Sequence, residues 1–186
     1  MLKRILTLLA LSYVFFFLGN SFLSLTDPDE AFYCLTAKEM AVKGEWMTPY
    51  IFGQPQFEKP VFLYWLLRVV FDAWGVNSFN ARFFPALFAC LGVLAVYVLG
   101  LLGFRVERKA FWSAVVLCTG AFYAGMGKTV FTDMVFSVFI LYAFLAFYLG
   151  FADPRRRPLG IVGFYVFTGL AVLTKGPLGF LIPQGA

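Results

Sequence analysis

The chain has 186 residues, of which 61% are hydrophobic, 20% aromatic and only 13% charged, with a net charge of +5. Soluble domains run about 45–50% apolar and about 25% charged, so a water-facing globular surface is excluded. Histidine is absent, which removes imidazole triads and His-ligated zinc, and the basic residues fall in short clusters between apolar runs, which argues against nucleic-acid binding.

Lys3-Arg4 opens an apolar stretch over 5–25. A secretory signal core is about 7–15 residues long and ends at a small-x-small cleavage site. This run is longer and lacks that site, so it predicts a retained first span. A polar loop follows over 26–82. Its start, Thr26-Asp27-Pro28-Asp29-Glu30, fits a helix N-terminus, with Asp27 as N-cap, Pro28 at N1 and Glu30 at N3, and helical periodicity continues over 31–42. Val61–Trp74 is apolar but has only 14 residues and carries Arg68. Further spans are predicted over 83–104, 110–126, 134–151 and 159–174.

Charge placement decides the status of Val61–Trp74. Lys3-Arg4, Arg105/Arg108/Lys109 and Arg155-Arg156-Arg157 all lie at span ends. Five spans put all three clusters on one side, as the positive-inside rule requires, whereas a crossing at 61–74 would split them. That segment is therefore read as a helix lying on the outer membrane surface, with Trp46, Tyr50, Tyr64, Trp65 and Trp74 as interfacial anchors. The fold expected is an all-α polytopic membrane protein with about five transmembrane helices and a cytoplasmic N-terminus. The chain stops at Gly185-Ala186, just after the fifth span, which reads as a fragment of a longer membrane domain. Cys34, Cys90 and Cys118 are odd in number and far apart, so no disulfide framework or thiolate metal site is indicated.

Several polar residues gather at the predicted outer face. Asp29 sits where a partly desolvated carboxylate has a raised pKa and can act as a base, alongside the capping role open to its neighbours. In Phe57-Glu58-Lys59-Pro60, a surface turn by its composition, Lys59 can hold a phosphate as a point charge and Glu58 can ligate a divalent cation. Gly125-Met126-Gly127-Lys128-Thr129 looks like a phosphate loop but has Phe122 where glycine is needed. Asp133 stands at the start of a span, where an acid either favours the helix N-terminus or serves function. Thr174-Lys175-Gly176-Pro177 reads as a helix stop, and equally as a lysine facing an anionic headgroup. Acids and lysines together at one interface suit a phosphorylated lipid substrate. A transporter or lipid translocator is the alternative, although transporters more often place charges and breaks near mid-span.

Pro28-Asp29-Glu30-x-x-Tyr33, then Ala37-x-Glu39-Met40, Gly44-Glu45-Trp46, Pro49, Gly53 and Phe57-Glu58-Lys59-Pro60 occur in order, followed by Tyr64-Trp65, Asp133 and Thr174-Lys175-Gly176. This set resembles the GT-C-type membrane glycosyltransferases, in particular the lipid A aminoarabinose transferases and protein O-mannosyltransferases. The resemblance implies a partial GT-C fold with two surface helices in the first external loop. It also implies transfer of a sugar, usually with inversion, from a polyprenyl-phosphate carrier to a lipid, glycan or protein acceptor, at the outer side of the bacterial inner membrane. By position it makes Asp29 the leading catalytic carboxylate, with Glu30 and Tyr33 beside it, and Asp133 the second acid. Glu58-Lys59 becomes the metal- or phosphate-contacting pair and Lys175 a donor-phosphate contact. Members of that family are much longer, with roughly a dozen spans.

Overall fold

The computed structural model describes residues 1–22, 24–25 and 28–185. It is helical almost throughout, as a chain that buries its backbone in lipid must be, because each N–H and C=O then finds its partner within its own segment. α1 (Leu2–Ser12) continues as a π-helical turn over Tyr13–Phe17. α2 (Pro28–Lys43) leads into a two-residue-per-strand hairpin, β1 (Tyr50–Ile51) and β2 (Gln54–Pro55), and then α3 (Phe62–Trp74). α4 (Ser78–Phe104), α5 (Glu107–Thr119), α6 (Ala121–Gly127) and α7 (Thr132–Ala152) follow. A 3-10 turn (Pro154–Arg156) opens α8 (Arg157–Lys175), and α9 (Leu178–Gly185) comes last.

Among the described residues, three helices are long and apolar enough to cross a membrane: α4, α7, and α8 with its 3-10 turn. α5 and α6 make a fourth if taken together as one broken span. Several boundaries differ from expectation. The run over 5–25 is not one helix. It leaves helical geometry after Phe17, where Leu18 is extended and Gly19 adopts a φ of 90°. Asn20 is buried there and its amide donates to the Phe16 carbonyl, capping the broken end at 2.8 Å. The run over 110–126 is broken by a 65° bend at Gly120, whose extended ψ of 122° ends α5. α4 starts five residues before the expected Phe83, because Asn77 caps it by accepting from Asn80 N–H at 2.8 Å. After Lys175 the chain does not leave the helical layer: Gly176, at φ 72°, turns it into α9.

α3 runs where the interfacial helix was expected. Arg68 is buried on it, stacked 3.9 Å over the Trp46 ring, paired with Asp72 at 3.3 Å and donating to the Glu45 carbonyl. Trp65 donates to the Trp46 carbonyl beside it. The hairpin tip is fastened to α2 by Glu39, whose carboxylate accepts from Phe52 N–H at 2.7 Å and Gly53 N–H at 2.9 Å. α2, the hairpin and α3 thus form one polar-stitched cap on the bundle.

The contacts sort the helix ends into two sets. At one end, the Met1 ammonium and Arg4 pair with Glu107, each at 3.0 Å, which brings the first basic cluster beside the second. At the other, Lys128 donates to the Leu18 carbonyl at 2.8 Å, and Glu30 joins Arg82 to Val130. α4 and α7 both start at this second end, and α8 returns to it, since Lys175 pairs with Asp133. Arg105 and Arg155–Arg157 accordingly lie at the far ends of these helices. The three basic clusters share the end opposite the cap.

Candidate functional site

The site is assembled where α2, the α6–α7 junction and the end of α8 meet under the cap. Pro28, Asp29 and Glu30 form the first turn of α2, so consecutive side chains splay around its axis. Asp29 is exposed while Glu30 is 1% exposed. Tyr33, one turn on, points inward beneath Asp29 and is 5% exposed. Thr132 and Asp133 open α7, and Lys175 closes α8.

Asp133 and Lys175 form an ion pair, each side chain partly exposed to the site. The Lys175 ammonium also lies 5.6 Å from the centre of the Phe136 ring. Tyr33 couples this pair to Asp29. Burial raises its phenol pKa, the carboxylates of Asp29 and Asp133 raise it further, and the Thr132 side chain that hydrogen-bonds it opposes them. Both candidate acids are therefore near enough to act on one phenol. Tyr64 packs against Tyr33, with ring centres 5.8 Å apart, and burial pushes its phenol up to about 12. Its hydroxyl accepts from the Gln56 amide at 2.8 Å, and Glu58 lies near enough to add to the shift. Gln56 also accepts from Glu58 N–H at 3.4 Å, so this one amide holds the Glu58-Lys59 turn against α3.

The sequence-predicted residues thus divide. Asp29, Tyr33, Asp133 and Lys175 are brought together. Glu58 stands beside them through Tyr64. Lys59 is exposed in the adjoining turn and makes no ion pair among the described residues. Lys128 is at the same end but is engaged with the Leu18 carbonyl. Glu30 departs from the expected capping box: Asp27 lies outside the described residues, and the Glu30 carboxylate goes to Arg82 and to Val130 N–H. Lys175 differs too, since its charge already faces an acid. Among the described residues no three carboxylates, thiols or imidazoles converge to hold a metal ion.

Arg82, Thr132 and Gln56 were missed in the sequence. Arg82 carried a usable signal, because a guanidinium at the head of an apolar helix needs a buried partner.

Residues 58–186 match the family model described as dolichyl-phosphate-mannose-protein mannosyltransferase. Among curated relatives, an undecaprenyl phosphate-alpha-4-amino-4-deoxy-L-arabinose arabinosyl transferase from Pseudomonas fluorescens is 32% identical over 158 residues, covering 84% of this chain and 27% of the relative. The crystal structure of ArnT from Cupriavidus metallidurans in the apo state superposes with a TM-score of 0.90 at 24% identity, over 97% of this chain and 34% of that one. The same protein bound to undecaprenyl phosphate gives a TM-score of 0.88. These two likenesses establish the fold. The chain spans between 27% and 37% of the length of the curated relatives it matches.

Proposed function

The chain belongs to the dolichyl-phosphate-mannose-protein mannosyltransferase family, and from that premise we propose that it carries the acid-bearing part of a GT-C-type membrane glycosyltransferase. Its reaction moves a sugar from a polyprenyl-phosphate donor to a lipid, glycan or protein acceptor at the outer face of a bacterial inner membrane. The observation that carries this reading is the gathering of Asp29, Tyr33, Asp133 and Lys175 at the bundle end opposite all three basic clusters. On the positive-inside rule that end faces outward. The relatives named for undecaprenyl-phosphate sugars, and the ArnT fold bound to undecaprenyl phosphate, support the donor class.

The proposed chemistry is a single displacement at the anomeric carbon. A bond forms from the acceptor hydroxyl oxygen to that carbon while the bond to the phosphate oxygen breaks, and the polyprenyl phosphate leaves with the electron pair. Asp29 accepts the hydroxyl proton or holds the hydroxyl in line. Lys175 and Lys59 stabilise the phosphate as its charge develops. Because Lys175 rests on Asp133, the donor phosphate has to share that ammonium with a carboxylate. Asp133 thus tunes the strength of the phosphate contact. Tyr33 and Tyr64 stay neutral at working pH and act as hydrogen-bond donors. Glu58 is the proposed ligand for a divalent cation, whose remaining ligands have to come from substrate or from outside these residues.

The test uses the full-length protein in proteoliposomes with a polyprenyl-phosphate sugar. A catalytic base of this kind contributes about 10²–10⁴-fold, so Asp29→Asn should lose at least about a hundredfold in transfer. Near-normal transfer by that variant rejects the assignment of Asp29. A wild-type protein that moves the donor across the bilayer without transferring its sugar is a translocator, and the enzymatic reading fails.

A further inference from the structure

We propose that Glu30 and Arg82 are a buried positioning pair that fixes the spacing of Asp29 and Asp133, an inference that rests on the transferase reading above. Glu30 is 1% exposed and Arg82 3%. Arg82 donates to Glu30 through Nε at 3.2 Å and Nη2 at 2.9 Å, and Nη2 also reaches the Ser24 carbonyl at 2.9 Å. Stability alone is a poor reason for such a pair. Taking two ions out of water offsets most of their attraction, and a well-packed apolar pair often does as well or better.

The third partner supplies the reason. Glu30 Oε1 also accepts from the backbone N–H of Val130 at 2.9 Å, across 100 residues of sequence. One carboxylate therefore ties the first turn of α2 to the head of α4 and to the α6–α7 junction. Asp29 is the residue before Glu30, and Asp133 is three residues after Val130. Any slip between Glu30 and Val130 moves Asp133, with Lys175 on it, relative to Asp29. Such misplacements are expensive in catalysis, since about 1 Å can cost on the order of a hundredfold. The arginine neutralises and orients the carboxylate so that its oxygen faces the junction. Glu30 and Arg82 lie under the site and touch no substrate in this scheme.

Two double variants of the full-length enzyme separate this role from simple stability. In Glu30→Gln/Arg82→Gln the charges are gone, but the amide oxygen at position 30 still accepts from Val130 N–H. In Glu30→Leu/Arg82→Met the bulk is kept and every hydrogen bond is lost. The amide pair should keep most of the wild-type kcat. The apolar pair should lose at least about tenfold in kcat with the donor KM little changed, because orientation is lost while donor contacts remain. Equal kcat in the two folded variants overturns the proposal. If the apolar variant does not accumulate, Val130→Pro removes the same donor while leaving both charges. It should lower kcat to a similar extent, and wild-type kcat in that variant also overturns the proposal. Absence of transfer in the wild type would instead be a failure of the transferase reading.

Discussion

At Lys175 the ammonium has two neighbours, the Asp133 carboxylate and the face of Phe136. Each charge was legible in the sequence, because an ion beside an apolar span is costly and asks for a reason. Their pairing was not legible: 42 residues separate them, and the register of α7 on α8 that joins them is a packing outcome. If the pair acts as a unit, Lys175→Met and Asp133→Asn should be non-additive. A double-mutant cycle on kcat/KM should return a coupling of about 0.5–3 kcal/mol, and strict additivity would show that the two groups work separately. Tyr64 makes a prediction of a different kind. Its folded pKa of about 12 exceeds the usual 10.0, so the folded state holds this proton more tightly than the unfolded state. Its contribution to stability is fully present below pH 10.0 and is lost as pH rises towards about 12. An alkaline stability titration of Tyr64→Phe should lack that component of the decline seen in wild type.

Among the elements, the α7–α8 hairpin depends on two glycines. A Cβ at Gly160 would lie 2.7 Å from the Ala146 carbonyl oxygen and press on the Gly150 backbone. Small residues at facing positions let membrane helices approach this closely. Gly160→Val should push α8 away from α7, destabilise the protein by about 1–3 kcal/mol, and separate Lys175 from Asp133. Thermal unfolding in detergent checks the first effect, and a drop in transfer by the surviving folded fraction checks the second. Helix existence was readable here because apolar runs of this length have few alternatives in lipid. Helix breaks were not. Gly19, followed by only Asn20-Ser21, and Gly120 both sit within long apolar runs, and glycines elsewhere in the chain, such as Gly92 and Gly100, lie inside an unbroken helix. What distinguishes the breaking glycines is their tertiary surroundings. Burial of Asn20 and the Lys128 contact to Leu18 hold the first break in place.

For the whole molecule, the charge pattern was the most informative part of the sequence. It placed the three basic clusters together, and the contacts of Met1 and Arg4 with Glu107, and of Lys175 with Asp133, give the same arrangement from packing. Which end faces the cytosol can be measured with single cysteines in a background lacking Cys34, Cys90 and Cys118. In intact cells an impermeant maleimide should label Lys59→Cys but not Lys109→Cys or Arg157→Cys. Labelling at position 109 or 157 would invert the orientation and move the acids to the other leaflet.

The bundle is also unequal in height. α4 has 27 residues and α7 has 21, but α5 has 13, and α1 with its π-helical turn ends at Phe17. At 1.5 Å per residue, α5 rises about 20 Å and residues 2–17 about 24 Å, against a hydrocarbon layer of about 30 Å. α1 and α5 pack side by side, so the shortfall is concentrated on one flank. Where such a flank faces lipid, the leaflet meets it by thinning, so the short side sets a locally shallower hydrocarbon layer than α4 and α7 span.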